Sequence, residues 1–325
     1  MGTTELISLQ LRMFLIMLTG LFFRRKNLIS AEGKKNLTDL VIYLILPCNI
    51  VKSFMITFDG NTLQKFGTVF LVSVLIQAVC ALFARLFYNR MAPGHRKVMQ
   101  YATVASNAGF LGNPVAEGVF GSVGLALASV YLIPQRIVMW SAGVSYFTAD
   151  SESTPRTGHL SAPDKIFSMS AHMHLLRRII THPCIVAVVV GLVFMLGQVE
   201  LPSFLDAALR DIGNSNTAMS MLVIGMILAD VRPRDMLDRS LFLFSGLRLI
   251  VIPLLVYAGC LACAVDPLVT GVSVLLAAMP AAGTTAILAA KYDGDAAYAS
   301  KCVVTTTVLS LLTTPIWSMI LLRAL

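Results

Sequence analysis

Arg136 lies about twelve residues into an apolar run, or about 18 Å along a helix at 1.5 Å per residue. A guanidinium at that depth costs about 2.5–3.5 kcal/mol on insertion scales, and its stem does not easily carry it back to water. It must face the protein interior, where it meets either an anion or a structural partner, a carboxylate or a cluster of backbone carbonyls. Its planar fork suits a carboxylate better than a lysine would. Two further sets of residues could serve the same chemistry. Asn107, Gly112, Asn113 and Pro114 interrupt one apolar run; Pro280, Gly283, Thr284 and Thr285 interrupt another. Where a helix breaks, its second half begins with free N–H groups and a partial positive charge, and both suit an anionic group. The amides and hydroxyls add neutral donors and acceptors. Plainer roles stay open: the asparagines could cap their own broken backbone, and the glycines could let helices pack closely.

Other residues carry less weight. Glu117, one turn after Pro114, is the acidic residue of its run; it could hold a coupling proton or cation, or be an interfacial carboxylate near the outer surface. Arg248 lies about seven or eight residues from the end of its run, so snorkelling to the interface is the default. Asn49 and Asn214 are further cavity-lining options. No catalytic set is legible: Gly-x-Ser-x-Gly, paired aspartates and His-Glu-x-x-His are missing, and no histidine falls in the middle of a run to act as general acid or base. Cys260 and Cys263 form a lone C-x-x-C, where zinc usually needs four ligands. His172 and His174 are two apart and share no helical face. Neither a metal nor a cofactor is expected, and no Gly-x-x-x-x-Gly-Lys-[Ser/Thr] loop exists to hold a nucleotide.

The elements that must position these residues are membrane spans. The chain is 57% hydrophobic and 13% charged over 325 residues, where soluble domains carry about 25% charged residues. A span takes about 20 residues, and apolar runs fall at 5–23, 37–56, 64–88, 97–120, 123–148, 178–198, 204–229, 240–264, 267–291 and 296–322. With both termini outside, the inward loops hold 18 of the 25 Lys and Arg, and the outward positions hold only Lys52, Lys65, Arg210 and Arg323. The positive-inside rule favours that orientation. The basic excess of +8 then reflects topology and anionic lipid at the cytoplasmic face, not nucleic-acid binding.

The polar stretch 149–165, rich in Ser, Thr and Pro, divides the chain. The expected units are a first five-helix repeat over 1–148, a cytoplasmic linker over 149–175 and a second five-helix repeat over 176–325. An odd number of spans in each half makes the halves opposite in orientation, as an inverted repeat requires. The interrupted runs are the fourth and the ninth, at corresponding places. Placing Gly112 on Gly283 aligns Asn113-Pro114 with Thr284-Thr285.

The pattern Asn107-x-Gly109-Phe110-Leu111-Gly112-x-Pro114 resembles the fourth helix of the auxin efflux carrier family, which includes bacterial malate and malonate permeases. Arg248-Leu249 with Pro253 is similar to its eighth helix. Met279-Pro280, Ala289-Ala290-Lys291-Tyr292, and Thr307-Val308-Leu309-Ser310 with Thr314-Pro315 are similar to its ninth and tenth. The resemblance runs the length of the chain. It implies an all-α polytopic membrane protein with ten transmembrane helices in two inverted repeats. Helices four and nine would break and cross at the centre, as in the bile-acid sodium symporters. The chain departs from the plant members in its short central loop, in Thr285 where they have a crossover proline, and in Gln135-Arg136 of the fifth helix. A small organic anion is therefore the expected substrate, rather than auxin.

The expected function is secondary active or uniport transport of mono- or dicarboxylates by alternating access, in the cell membrane with both termini outside. A channel or receptor on the same fold is the alternative, and an intramembrane enzyme is a distant one. The partners are the anion and the lipid bilayer. Coupling to H+ or Na+ and a homodimeric assembly are left open.

Overall fold

The computed structural model of the chain describes residues 3–55, 60–89, 91–140, 142–148, 181, 183–229, 238–292 and 294–324. The 149–175 linker, with His172 and His174, lies outside the described residues. The first half contains α1 (Thr3–Arg25), α2 (Ala31–Leu40), α3 (Leu46–Ser53), α4 (Gly60–Phe87), α5 (Pro93–Val104), α6 (Asn113–Trp140) and α7 (Ala142–Thr148). The second contains α8 (Pro183–Gly197), α9 (Ser203–Asn214), α10 (Asn216–Ala229), α11 (Arg239–Gly246), α12 (Ile252–Ala262), α13 (Pro267–Ala277), α14 (Thr284–Lys291) and α15 (Ala296–Ala324).

This is an all-helical membrane protein. Among the described residues, five continuous helical stretches are long and apolar enough to cross a bilayer: Gly60–Phe87, Ala108–Met139, Ser203–Ala229, Arg239–Ala262 and Ala296–Arg323. Helices α8 and α13 are apolar but shorter. Leu71, Leu75, Val79, Leu82 and Leu86 on α4, and Val189 and Val193 on α8, are exposed outward. In a bilayer such rows meet lipid, while the helix satisfies its own backbone.

Three widened π turns, Val41–Ile45, Ala108–Gly112 and Leu247–Val251, are each followed after one residue by a proline: Pro47, Pro114 and Pro253. Proline lacks an N–H, and its ring presses on the carbonyl one turn back. A turn with i→i+5 bonds makes room for that ring, so the helix continues past it. Pro114 therefore does not break its helix, as the sequence suggested it would; it lies within the continuous stretch Ala108–Met139. The bend in α6 comes instead at Gly121, with φ 69° and ψ −162°, a conformation that suits glycine.

Helices α1, α2, α3, α8, α9 and α10 pack as one bundle, and α4, α5, α6 and α11–α15 as another. In the first bundle α1 meets α10 backbone to backbone. A Cβ at Gly225 would collide with the Met17 carbonyl oxygen, and one at Gly20 with that of Leu222. Small residues at such crossings allow the close van der Waals contact that holds helices together in lipid. Helix α3 lies against α8 and α9, with Gly191 on Phe54 and Gly213 on Asn49. In the second bundle the starts of α5, α11 and α15 are tied together. Ser240 and Tyr298 share a hydroxyl hydrogen bond of 2.6 Å, His95 stacks on Tyr298 at 3.7 Å, and its Nε2 is 3.5 Å from Asp295.

Candidate functional site

Two helix breaks meet at the centre of the second bundle. Helix α5 ends at Val104, and the next helical turn starts at Ala108. Helix α13 ends at Ala277, and α14 starts at Thr284. The freed backbone groups pair with each other. The Asn107 N–H donates to the Pro280 carbonyl at 2.7 Å, and the Ala282 N–H donates to the Ala105 carbonyl at 3.0 Å. The result is an antiparallel bridge centred on Ser106 and Ala281. Helix ends leave donors and acceptors orphaned, and hydrocarbon offers no water to satisfy them. Crossing the two breaks meets both demands at once.

Each break is also held by the apolar run that follows its own, the fifth and the tenth. Gln135 of α6 donates from Nε2 to the Ser106 carbonyl at 2.9 Å, and the Ser106 hydroxyl donates back to its Oε1 at 3.0 Å. Thr306 of α15 accepts the Ala281 N–H at 3.2 Å. The Tyr101 hydroxyl donates to Thr284 Oγ1 at 3.1 Å, and Thr284 donates to the Met139 sulfur at 3.7 Å. Ser106, Gln135, Thr306 and Tyr101 were not chosen from sequence as site residues. Only Gln135 carried a signal, as a polar residue next to Arg136 deep in an apolar run.

Of the residues chosen from sequence, Asn107 and Pro280 form the bridge itself, and Gly283, Thr284 and Thr285 open the second half of the ninth run. Asn107 caps through no side-chain hydrogen bond. Gly112, Asn113 and Pro114 lie beyond the crossing, inside the second half of the fourth run. The proposed equivalence of Gly112 and Gly283 does not hold: Asn107 and Gly283 each precede the second half of their run, whereas Gly112 is inside a π turn. Gly112 instead lets that turn press on α13, since a Cβ there would lie 2.6 Å from Leu276 Cδ2 and 3.1 Å from Met279 Cγ. Asn113 is fully buried and neither amide atom has a hydrogen-bond partner; the Thr285 hydroxyl is likewise buried and unpartnered.

Arg136 reaches the crossing from α6. It is 8% exposed, which rules out snorkelling. Its Nη2 lies 3.8 Å from where a Gly109 Cβ would stand, and its guanidinium lies near Cys184 of α8. Nη1 is buried with no partner. Among the described residues Arg136 forms no ion pair, and none of them compensates the buried positive charge that faces the broken helix.

Arg248 departs from expectation. It is buried, at 4% exposure, and does not snorkel. The π turn that holds it carries it inward, and Nη1 donates to the Thr103 carbonyl at 3.3 Å. That carbonyl belongs to the last turn of α5, the negative end of its dipole. The remaining residues chosen from sequence, Asn49, Glu117 and Asn214, gather at a second place around Lys52. Asn49 Nδ2 donates to Glu117 Oε2 at 3.0 Å, Lys52 Nζ donates to Asn214 Oδ1 at 2.6 Å, and Lys52 stands 3.8 Å from Glu117 Oε1.

Known proteins resemble this chain along nearly its whole length. The chain is 26% identical over 324 residues to a protein of Methanothermobacter thermautotrophicus named "Uncharacterized transporter", with 99% of each chain covered. It is 23% identical over 316 residues to a Rhizobium meliloti protein named "Putative malonate transporter", covering 95% of this chain and 93% of that one. A further protein named as a transporter, from Methanocaldococcus jannaschii, is 23% identical over 322 residues, with 95% and 96% covered. A family model described as membrane transport protein matches residues 6–318. The chain thus belongs to the membrane transport protein family, that of the auxin efflux carriers, and is a transporter rather than an enzyme.

Proposed function

We propose that the protein is a secondary carrier of small organic anions, mono- or dicarboxylates, working by alternating access around the crossing of its two broken helices. The observation that carries this reading is Arg136, a buried guanidinium with a free donor at the crossing. A buried cation without a partner is costly, and a carboxylate from outside the chain supplies the missing charge in the geometry its fork prefers. Asn113 and Thr285, buried with unused hydrogen-bonding groups, would serve the same ligand. The Rhizobium relative's name makes malonate the first anion to test.

Ten spans in two inverted repeats, with both termini outside, are the arrangement proposed around this site. Two features support it: the interrupted runs occupy corresponding places in the halves, and each break is held by the next run in its half. The packing of α1 on α10 and of α8 on α3 also exchanges partners between the halves in a matching way. No nucleotide loop is present, so the anion gradient, the membrane potential or a coupled H+ or Na+ would drive transport. Export of a monoanion from an inside-negative cell gains about 2.3 kcal/mol per 100 mV. Counterflow in proteoliposomes loaded with malonate, succinate or acetate tests the reading. Accelerated exchange of at least one is expected; flux with no counterflow for any of them would point to a channel.

A further inference from the structure

Lys52, on the last turn of α3, is held by groups from two other helices. Its ammonium donates to Asn214 at the end of α9 and stands 3.8 Å from the carboxylate of Glu117 on α6. That separation exceeds hydrogen-bond range, and an ammonium offers more donors than these two contacts use. Glu117 is fastened on its other side by Asn49, one turn before Lys52 on α3. Asn49 is fully buried, and its Oδ1 has no partner. The Lys52 and Glu117 side chains are 20% and 23% exposed, so the pair is reachable from solvent yet mostly enclosed.

The division of these residues between bundles matters. Lys52, Asn49 and Asn214 belong to the bundle of α1–α3 and α8–α10, while Glu117 rides on the half-helix that leads away from the crossing. When that half-helix moves against α3, the carboxylate leaves and Lys52 keeps only a neutral amide. A mostly enclosed ammonium then needs a new counter-charge. A substrate carboxylate has the same chemistry as the group that has left.

Resting on the carrier reading above, we propose that Lys52 is a second anion-binding residue and that Glu117 is its tethered competitor, occupying the ammonium until a substrate carboxylate replaces it. Arg136 and Lys52 are then successive stations for one anion. The arrangement favours an anion over a metal cation, because the ammonium already neutralises the one carboxylate of the cluster.

The test is calorimetry of the purified full chain with malonate, succinate and acetate, with thermal melts alongside. Glu117→Gln removes the competing charge and keeps an acceptor for Asn49, so affinity should rise about tenfold, the size of one charge-assisted hydrogen bond. Lys52→Gln should lower affinity by a similar factor, and the double variant should bind no better than Lys52→Gln alone. Parallel losses of melting temperature with affinity unchanged would make the cluster a structural ion pair and overturn the proposal. If Lys52→Gln does not fold, Lys52→Arg in the Glu117→Gln background decides. Retention of the gain supports a charge effect at this position; affinity no higher than wild type overturns it. If wild type binds the anions, Arg136→Gln loses them and the Lys52 and Glu117 variants match wild type, this proposal alone falls. If wild type binds none of them, the carrier reading falls with it.

Discussion

Arg136 faces the crossing with one donor unused, and its replacement separates charge from shape. Arg136→Lys keeps the charge and loses the fork, so anion affinity should drop while some transport remains. Arg136→Gln should lose at least about tenfold in affinity, the range of a hydrogen bond to a charged group, with the melting temperature held. Calorimetry in detergent checks both, and an unchanged affinity in folded Arg136→Gln would return the site to the half-helices alone. The two glycines give a sharper contrast. Gly112 has Leu276 and Met279 against it, so Gly112→Leu should abolish transport while the protein still reaches the membrane. Overpacking of this kind costs about 1–3 kcal/mol. Gly283 has open space where a Cβ would stand and an ordinary helical φ of −58°, so Gly283→Ala should transport within about twofold of wild type. Proteoliposome uptake normalised to reconstituted protein distinguishes these outcomes.

Among the helices, the crossing depends on partners outside the broken segments. Gln135→Leu leaves the Ser106 carbonyl and hydroxyl without their partner, and Thr306→Val does the same to the Ala281 N–H. An unsatisfied buried group costs about 1–3 kcal/mol, so both variants should melt earlier in detergent. A Gln135→Leu protein as stable as wild type would mean that the break holds itself. These partners explain what the sequence could show and what it could not. Apolar runs located the helices, because hydrophobic length is written locally. The break in the fourth run was read a few residues late, because Pro114 looked decisive and the π turn that absorbs it has no residue signature of its own. Gln135 and Ser106 are 29 residues apart, and Lys52 and Asn214 are 162 apart. Such meetings depend on tertiary packing, which periodicity does not report. Arg248 was misjudged for the same reason: its distance from the end of the run said nothing about the inward turn that brings it to Thr103.

For the protein as an assembled body, the bundle of α1–α3 and α8–α10 is built on backbone contact between α1 and α10. Gly225→Leu would drive a side chain into the Met17 carbonyl and should cost folded protein before it costs specific activity. Fluorescence-detected size exclusion of the detergent extract reads that loss. Orientation is tested separately by single-cysteine labelling. In a cysteine-free background, a cysteine at position 158 should react with an impermeant maleimide only after the cytoplasmic side is opened. Labelling from outside would reverse the proposed topology.

The paired backbone bonds at the crossing also set limits on mechanics. Asn107 and Ala282 each give their N–H to the other broken segment. Bending one break alone would therefore strand a donor and an acceptor from both, far from water. The two breaks are obliged to travel as a single rigid joint, and any flexing is displaced to their outer ends, such as Gly121. Deuterium uptake should register this as a shared clock. The amides of 107 and 282 should exchange slowly and at one rate, with or without bound anion, while amides flanking Gly121 exchange faster.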